Sequence, residues 1–255
     1  MAKAQTNFEI KEYCKILRLK QIAVNFEEQA SLATDYEEYL HDLLFKEVEA
    51  AARKAAENRI KKAHFPYRKY IEDLELDCLP EGLKKSLPQL ATLDFIREGR
   101  NLILSGNPGT GKTHTAIGLG IKACEEGFNV LFTTVPLLIT ELKECNSKGK
   151  LRAFEKKFAK YDLVIADELG YATFDRAGVE LLFTNLSLRA AGKSTIITSN
   201  LTFARWNEVF GDPAVTSAMV DRLTFRAILV DMTGESYRLR ETLRTNGMDL
   251  SAIQS

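Results

Sequence analysis

Residues 106–113 match the phosphate-binding pattern G-x-x-x-x-G-K-[ST]. The glycines of this pattern let the backbone curl so that successive N–H groups face a phosphate, and the positive end of a following helix favours the same anion. Lys112 is expected to contact the β- and γ-phosphates of a nucleotide, and Thr113 is expected to supply a hydroxyl to Mg²⁺. The predicted nucleotide-binding residues are Gly106, Asn107, Pro108, Gly109, Thr110, Gly111, Lys112, Thr113 and His114.

Two acidic residues end an apolar run further along the chain. Residues 163–166 are Leu-Val-Ile-Ala, and Asp167 and Glu168 follow directly. At the carboxyl edge of a parallel sheet these acids would lie beside the phosphate loop, where Asp167 can hold Mg²⁺ through water. Glu168 could then polarise the attacking water as a general base. The alternative is a strand that merely ends in a polar turn, and the phosphate loop upstream favours the catalytic interpretation.

Three further polar residues are candidates for contacting the nucleotide. Asn200 ends the strand-like segment 194–200 and could reach a γ-phosphate or orient the lytic water, although a turn or helix cap also explains an asparagine there. Arg222 and Arg238 could neutralise phosphate charge, although most arginines are simply solvated. The guanine-specificity motif N-K-x-D is absent, so ATP is predicted in preference to GTP.

The elements that must position these residues can also be predicted. Short apolar runs alternate with helix-compatible segments, and this alternation predicts an α/β fold with a mainly parallel sheet between helices. A helix is expected over 114–126, directly after the phosphate loop. The predicted strands are 102–104, 130–132, 163–166, 195–198 and 228–230.

The first third of the chain is predicted to be helical. Apolar residues recur at helical spacing over 8–26, and Thr34 and Glu37 have the spacing of a capping box. No Gly or Pro occurs over 35–63, which predicts one long helix. An apolar stripe on this helix is expected to be core: Tyr36, Leu40, Leu43, Leu44 and Val48. Pro66, Pro80, Gly82 and Pro88 then predict a linker that runs over the surface.

Composition indicates a globular protein, with 45% hydrophobic residues and equal numbers of acidic and basic residues, 35 each. The four cysteines are widely scattered, and no apolar run is long enough to span a bilayer, so we expect a reduced cytoplasmic location and no membrane. Two segments are locally basic and could follow DNA phosphates without reading sequence, although a solvated helix face is equally compatible. Their candidate DNA-binding residues are Lys143, Lys148, Lys150 and Arg152, and Arg59, Lys61 and Lys62.

Five segments taken together resemble the IstB-type AAA+ ATPases, which are transposition helper proteins of bacterial insertion sequences and relatives of the helicase loader DnaC. The segments are GNPGTGKTHTAIGLG, LVIADELGY, STIITSN, MVDRLTFRA and GESYRLR. The resemblance implies that Asn200 is the first sensor, Arg238 the second sensor, and Arg222 an arginine finger supplied to a neighbouring subunit. It also implies ATP-dependent self-assembly into a multimer on duplex DNA, deformation of that DNA, and recruitment or stimulation of a transposase.

The resemblance also implies a domain organisation. A helical domain at 1–65 would serve DNA, partner or oligomer contacts, and 66–92 would be a linker and the start of the ATPase module. The AAA+ ATPase domain would span 93–246, followed by a tail at 247–255. Two alternative functions are a helicase loader built on the same ATPase core and a DNA-binding scaffold that uses ATP only structurally. The Asp167 and Glu168 pair argues against the scaffold, because a scaffold has no use for a general base.

Overall fold

The computed structural model describes residues 2–171, 173–189 and 192–246. The chain divides into two compact units, Met1–Asn58 and Arg59–Ser255. The predicted tail at 247–255 lies outside the described residues. No helix in the described part of the chain is long and apolar enough to cross a membrane.

The first unit contains helices α1 (Ala2–Leu17), α2 (Lys20–Leu32) and most of α3 (Tyr36–Lys62), as the helical prediction required. Arg18 lies between α1 and α2 and has a φ of 62°. No Gly or Pro marks this break in the sequence. The capping contacts of α3 are made one residue later than predicted. The side chain of Asp35 accepts the Glu38 N–H, and Glu38 in turn accepts from Thr34.

The apolar stripe of α3 is mostly exposed, so its prediction as core is wrong. Leu43 is buried, but Tyr36 is 89% exposed, and three other members of the stripe are exposed as well: Leu40, Leu44 and Val48. The reason is geometric, because a unit built from three helices has too little interior to cover the whole of this stripe. Cys14 and Phe26 are buried in the same unit as Leu43.

The second unit is built on a five-stranded parallel sheet with strand order β2-β3-β4-β1-β5. All five predicted strands are present, and each is extended by residues that pair beyond the apolar run. Their bounds are β1 (Leu102–Ser105), β2 (Val130–Thr134), β3 (Leu163–Leu169), β4 (Ser194–Ser199) and β5 (Ile228–Asp231). The α/β prediction is therefore confirmed.

Helices cover both faces of the sheet, so alternate strand residues enter different hydrophobic cores. The helices are α4 (Glu81–Leu90), α5 (Asp94–Arg97), α6 (Lys112–Glu125), α7 (Val135–Ser147), α8 (Leu151–Phe158), α9 (Arg176–Arg189), α10 (Asn207–Phe210), α11 (Pro213–Thr224) and α12 (Tyr237–Thr245). In β1, Leu102 and Leu104 share a core with residues of α4 to α6, whereas Ile103 shares a core with residues of α7 to α11.

The stretch interpreted as a surface linker is instead packed into the second unit. Leu74, Leu79 and Leu83 are buried in the core that α6 also lines. Pro88 lies inside α4, and Gly82 touches the backbone of β5 so closely that an added Cβ would lie 2.3 Å from the Asp231 carbonyl oxygen. Pro80 caps the start of α4 and Gly82 makes a close contact, so neither residue marks a surface path.

Candidate nucleotide site

The phosphate loop joins β1 to α6, with Gly111 at the N-terminal cap of the helix. Gly111 has a φ of 90°, a conformation that favours glycine. At Gly106 an added Cβ would lie 2.2 Å from the backbone carbon of Met232, so only glycine fits. The backbone geometry of the loop therefore explains the glycine at both of these positions.

Lys112 folds back over the loop. Its Nζ donates to the carbonyl oxygens of Gly106 at 2.7 Å and Asn107 at 2.6 Å. Burial lowers the pKa of this ammonium to about 8; the negative charge of Asp167 opposes that shift, and the positive charge of Arg238 adds to it. An ammonium held in a partly desolvated site, with a second cation nearby, is well placed to bind an added polyanion.

The second acidic motif lies beside the start of α6. The hydroxyl of Thr113 lies 3.0 Å from Oδ1 and 3.1 Å from Oδ2 of Asp167, and the carboxylate is almost fully buried. A hydroxyl and a carboxylate at this distance offer the oxygen ligands that Mg²⁺ accepts alongside water and phosphate. Glu168 lies next to them on the wall of the cleft.

A cleft of about 330 Å³ brings most of the predicted site residues together. The phosphate loop from Pro108 to His114, Glu168, Asn200 and Arg238 all line it. The side-chain oxygen of Asn200 is buried and has no hydrogen-bond partner among the described residues, so it can accept a hydrogen from a water or ligand in the cleft. The volume falls in the range of about 300–1,000 Å³ that small-molecule sites occupy.

With this geometry in place, comparison with known proteins identifies the family. The family model described as IstB-like ATP binding protein matches residues 13–245. The chain belongs to this family. One similar protein, from Geobacillus stearothermophilus, is described as an ATP-binding protein of insertion sequence IS5376. It is 35% identical over 91% of this chain and 94% of its own length.

Solved structures show that the fold is shared with proteins of DNA replication. The DnaC helicase loader has a TM-score of 0.51 at 23% identity, covering 68% of this chain and 98% of that chain. The replication initiator DnaA bound to AMPPCP and single-stranded DNA has a TM-score of 0.54 at 19% identity, covering 71% of this chain and 56% of that chain. The IstB-like chain thus shares its fold with these two replication proteins.

Arg222 lies apart from the cleft of this IstB-like chain. It is exposed on α11, and it is not among the described residues that line the cleft. Arg238, in contrast, lies on α12 and lines the cleft close enough to Lys112 to lower its pKa. Arg222 and Arg238, which were both predicted to neutralise phosphate charge, therefore lie in different surroundings.

The candidate DNA-binding lysines and arginines also differ in surroundings. Lys143 lies 2.7 Å from Asp175, and the hydrogen bond from this lysine lowers the pKa of that carboxyl. Lys148 pairs with Glu144 at 3.0 Å, and Arg59 donates to the Cys124 carbonyl oxygen at 2.7 Å. The remaining candidates are exposed: Lys150, Arg152, Lys61 and Lys62.

The sequence interpretation missed a whole wall of the cleft, formed by residues between 67 and 79. Tyr67 and Glu75 are the clearest examples. Burial raises the pKa of the Tyr67 phenol, and the charges of Asp167 and Glu168 raise it further, which places this side chain near both acids. Glu75 accepts a 2.7 Å hydrogen bond from Tyr237, the neighbour of Arg238. No sequence motif marks these residues, and for that reason the segment was predicted to be a linker.

Proposed function

We propose that this IstB-like chain is a Mg²⁺-dependent ATP hydrolase that assembles on duplex DNA in its ATP-bound state and regulates or stimulates a partner transposase. The observation that carries the ATPase part is the cleft lined by the phosphate loop and Glu168, with the buried Asp167 hydrogen-bonded to Thr113 of that loop. A protein that only held ATP would need the loop and Asp167 but not a second acid facing the same space.

Each residue of the cleft has a distinct task in this proposal. Lys112 leaves its own loop carbonyls and binds the β- and γ-phosphates, and Thr113 and Asp167 are the residues that would hold Mg²⁺. When bound, Mg²⁺ neutralises phosphate charge. Glu168 accepts the proton of the attacking water, and the free side-chain oxygen of Asn200 orients that water. Arg238 adds positive charge from α12.

The DNA and transposase parts of the proposal are supported by relatives. The similar IS5376 protein is named for an insertion sequence, and the DnaA structure of similar fold is described as bound to single-stranded DNA. The exposed cations Lys150, Arg152, Lys61 and Lys62 can contact phosphates without reading bases. A cytoplasmic location belongs to this proposal, because a transposition helper must reach DNA.

Replacing the base tests the ATPase proposal directly. Glu168→Gln should keep ATP binding and lower turnover by about 10²-fold or more, because an amide cannot accept the proton of water. The matched control is Glu141→Gln, which makes the same change at an exposed position on α7. Phosphate release and titration of a fluorescent ATP analogue measure the two effects, and undiminished turnover in Glu168→Gln would remove Glu168 as the base.

A DnaC-like helicase loader is the second candidate function, favoured by the fold shared with the DnaC helicase loader. Electron microscopy of the protein with duplex DNA and a non-hydrolysable ATP analogue separates the two candidates. An ordered multimer along duplex DNA supports the transposition helper. The absence of assembly on duplex DNA, together with binding to a replicative helicase, supports the loader. A transposase gene directly upstream would favour the first candidate independently.

A further inference from the structure

The two acidic residues of the site lie in an irregular part of the sheet. Along β3 and β4, Ala166 pairs with Ile197, but the next pair is Leu169 with Ser199. The strand β3 therefore uses one more residue than β4 between these pairs, and Asp167 and Glu168 fall within this bulge. Glu168 also has a φ of 65°, which is unusual for a residue other than glycine. Bulges of this kind redirect side chains, and they interrupt the backbone ladder that would otherwise hold them.

One side chain of β4 replaces the interrupted ladder. The hydroxyl of Thr198 donates to Oδ1 of Asp167 at 2.5 Å and accepts the backbone N–H of Glu168 at 3.0 Å. Thr198 is 2% exposed and Asp167 is 3% exposed, so water has little access to compete for these bonds. A hydroxyl has one hydrogen to donate and lone pairs to accept, and this arrangement uses both functions.

We propose that Thr198 is a positioning residue for ATP hydrolysis, whose hydroxyl aims Asp167 at Thr113 and holds Glu168 in the conformation that presents its carboxyl to the cleft. The inference rests on the proposed function, because it assumes that these acids serve Mg²⁺ and the attacking water. Thr198 itself acts through the two acids. The alternative is a threonine that only stabilises the sheet edge, and that role would affect unfolding without selectively affecting turnover.

The same strand offers a matched control. Thr195 also lies on β4 and is 1% exposed, but its hydroxyl has no hydrogen-bond partner among the described residues. Thr195→Val and Thr198→Val make the same isosteric change at two equally buried positions of one strand. They differ in that Thr198→Val removes a hydroxyl that hydrogen-bonds to the Asp167 side chain and to the Glu168 backbone N–H.

The experiment compares these two valine variants with Thr198→Ser and Glu168→Gln. We expect Thr198→Val to lower kcat by about 10- to 100-fold, the usual effect of losing a partner that orients metal ligands. Its KM for ATP should change by less than about threefold, because the phosphate loop is intact. Thr198→Ser should restore most of the loss and Thr195→Val should turn over normally. Binding of a fluorescent ATP analogue should depend on higher Mg²⁺ concentrations in Thr198→Val than in the wild type.

Several outcomes would overturn the inference. It fails if Thr198→Val has the wild-type kcat, or if Thr198→Ser is as impaired as Thr198→Val, since the hydroxyl would then not matter. If Thr198→Val does not fold, the pair Thr198→Ala and Thr198→Ser makes the same comparison. An inactive Glu168→Gln beside a fully active Thr198→Val rejects the positioning role and leaves the proposed function intact. A fully active Glu168→Gln rejects the proposed base, and this inference with it.

Discussion

At the scale of single residues, the state of Lys112 is the most informative feature of the site. Its ammonium is held by two carbonyl oxygens of its own loop, and burial lowers its pKa to about 8. A triphosphate offers a stronger, fully charged partner than these neutral carbonyls. Nucleotide binding should therefore move this side chain from its own loop to the ligand.

The first prediction follows from that exchange. Lys112→Ala should weaken ATP binding by about 100-fold or more, because truncating one partner of a buried charge pair costs about 2–5 kcal/mol. Titration with a fluorescent ATP analogue measures the effect. Lys122→Ala, which removes a lysine from the other end of the same helix, is the control. Unchanged affinity in Lys112→Ala would show that nucleotide binds elsewhere.

At the scale of elements, strand β3 is preceded by an acid that hydrogen-bonds to the segments just before both neighbouring strands. Asp162 accepts the Asn129 N–H at 2.9 Å, just before β2, and the ammonium of Lys193 at 2.6 Å, just before β4. Burial opposes ionisation of this carboxyl, but the bonds from Lys193 and Asn129 outweigh it and lower the pKa. The carboxylate thus helps to align the amino ends of three strands.

The second prediction concerns pH. Asp162→Asn should lower the free energy of unfolding by about 1 kcal/mol at pH 7, because the charge-assisted bonds are lost. Since the folded-state pKa is lowered, this stabilisation is fully present above the ordinary aspartate value of about 3.9 and disappears as pH falls through the folded-state value. Urea unfolding at several pH values should show the two proteins converge in acid. A difference in the free energy of unfolding that stays constant as pH falls through the folded-state pKa would contradict the lowered pKa of Asp162. Asp77→Asn, at an exposed aspartate, is the control.

The third prediction concerns the basic segment at the end of α7 and the start of α8. Lys143 and Lys148 are paired with acids, so the exposed Lys150 and Arg152 are the sharper test. Reversing their charges should weaken duplex DNA binding equally across sequences and flatten the slope of log affinity against log salt by about 0.9 per lost phosphate contact. Filter binding over a salt series measures the slope. Lys85→Glu, at an exposed lysine of α4, controls for overall charge; an unchanged slope would remove this segment from the DNA surface.

At the scale of the whole molecule, the position of Arg222 raises the question of assembly. It is exposed on α11 and outside the described lining of its own cleft. An arginine that serves catalysis from such a place must serve the cleft of another copy. An arginine finger supplied in this way stabilises charge on the γ-phosphate and accounts for about 10³–10⁵ in rate.

The fourth prediction is complementation between inactive proteins. Arg222→Ala and Lys112→Ala should each lack ATPase activity, but a mixture should regain part of it, because some interfaces then pair an intact phosphate loop with an intact arginine. The control mixes Arg222→Ala with the double variant that carries both changes, which contains no such interface. Lack of recovery in mixtures shown to co-assemble on DNA would assign the finger to another residue, with Arg226 as the next candidate.

The sequence by itself determined the class of fold and the centre of the site. The five strands were predicted correctly, and the phosphate loop lies beside the acids at 167 and 168 as expected, because each depends on local pattern: glycine spacing, apolar runs and the residues that end them. In a parallel sheet, strands that end in polar residues bring those residues to one edge. That rule alone places Asp167 near Thr113, as observed.

Only the tertiary structure decided what depends on contacts between distant segments. The wall formed around Tyr67 and Glu75, the bond of Thr198 to both acids, and the exposure of the α3 stripe have no local signature. An apolar residue in a helix pattern is equally compatible with core or surface until its partners are known. A threonine in a strand likewise becomes a positioning residue only when a bulge in the next strand brings an acid and an unpaired N–H to its hydroxyl.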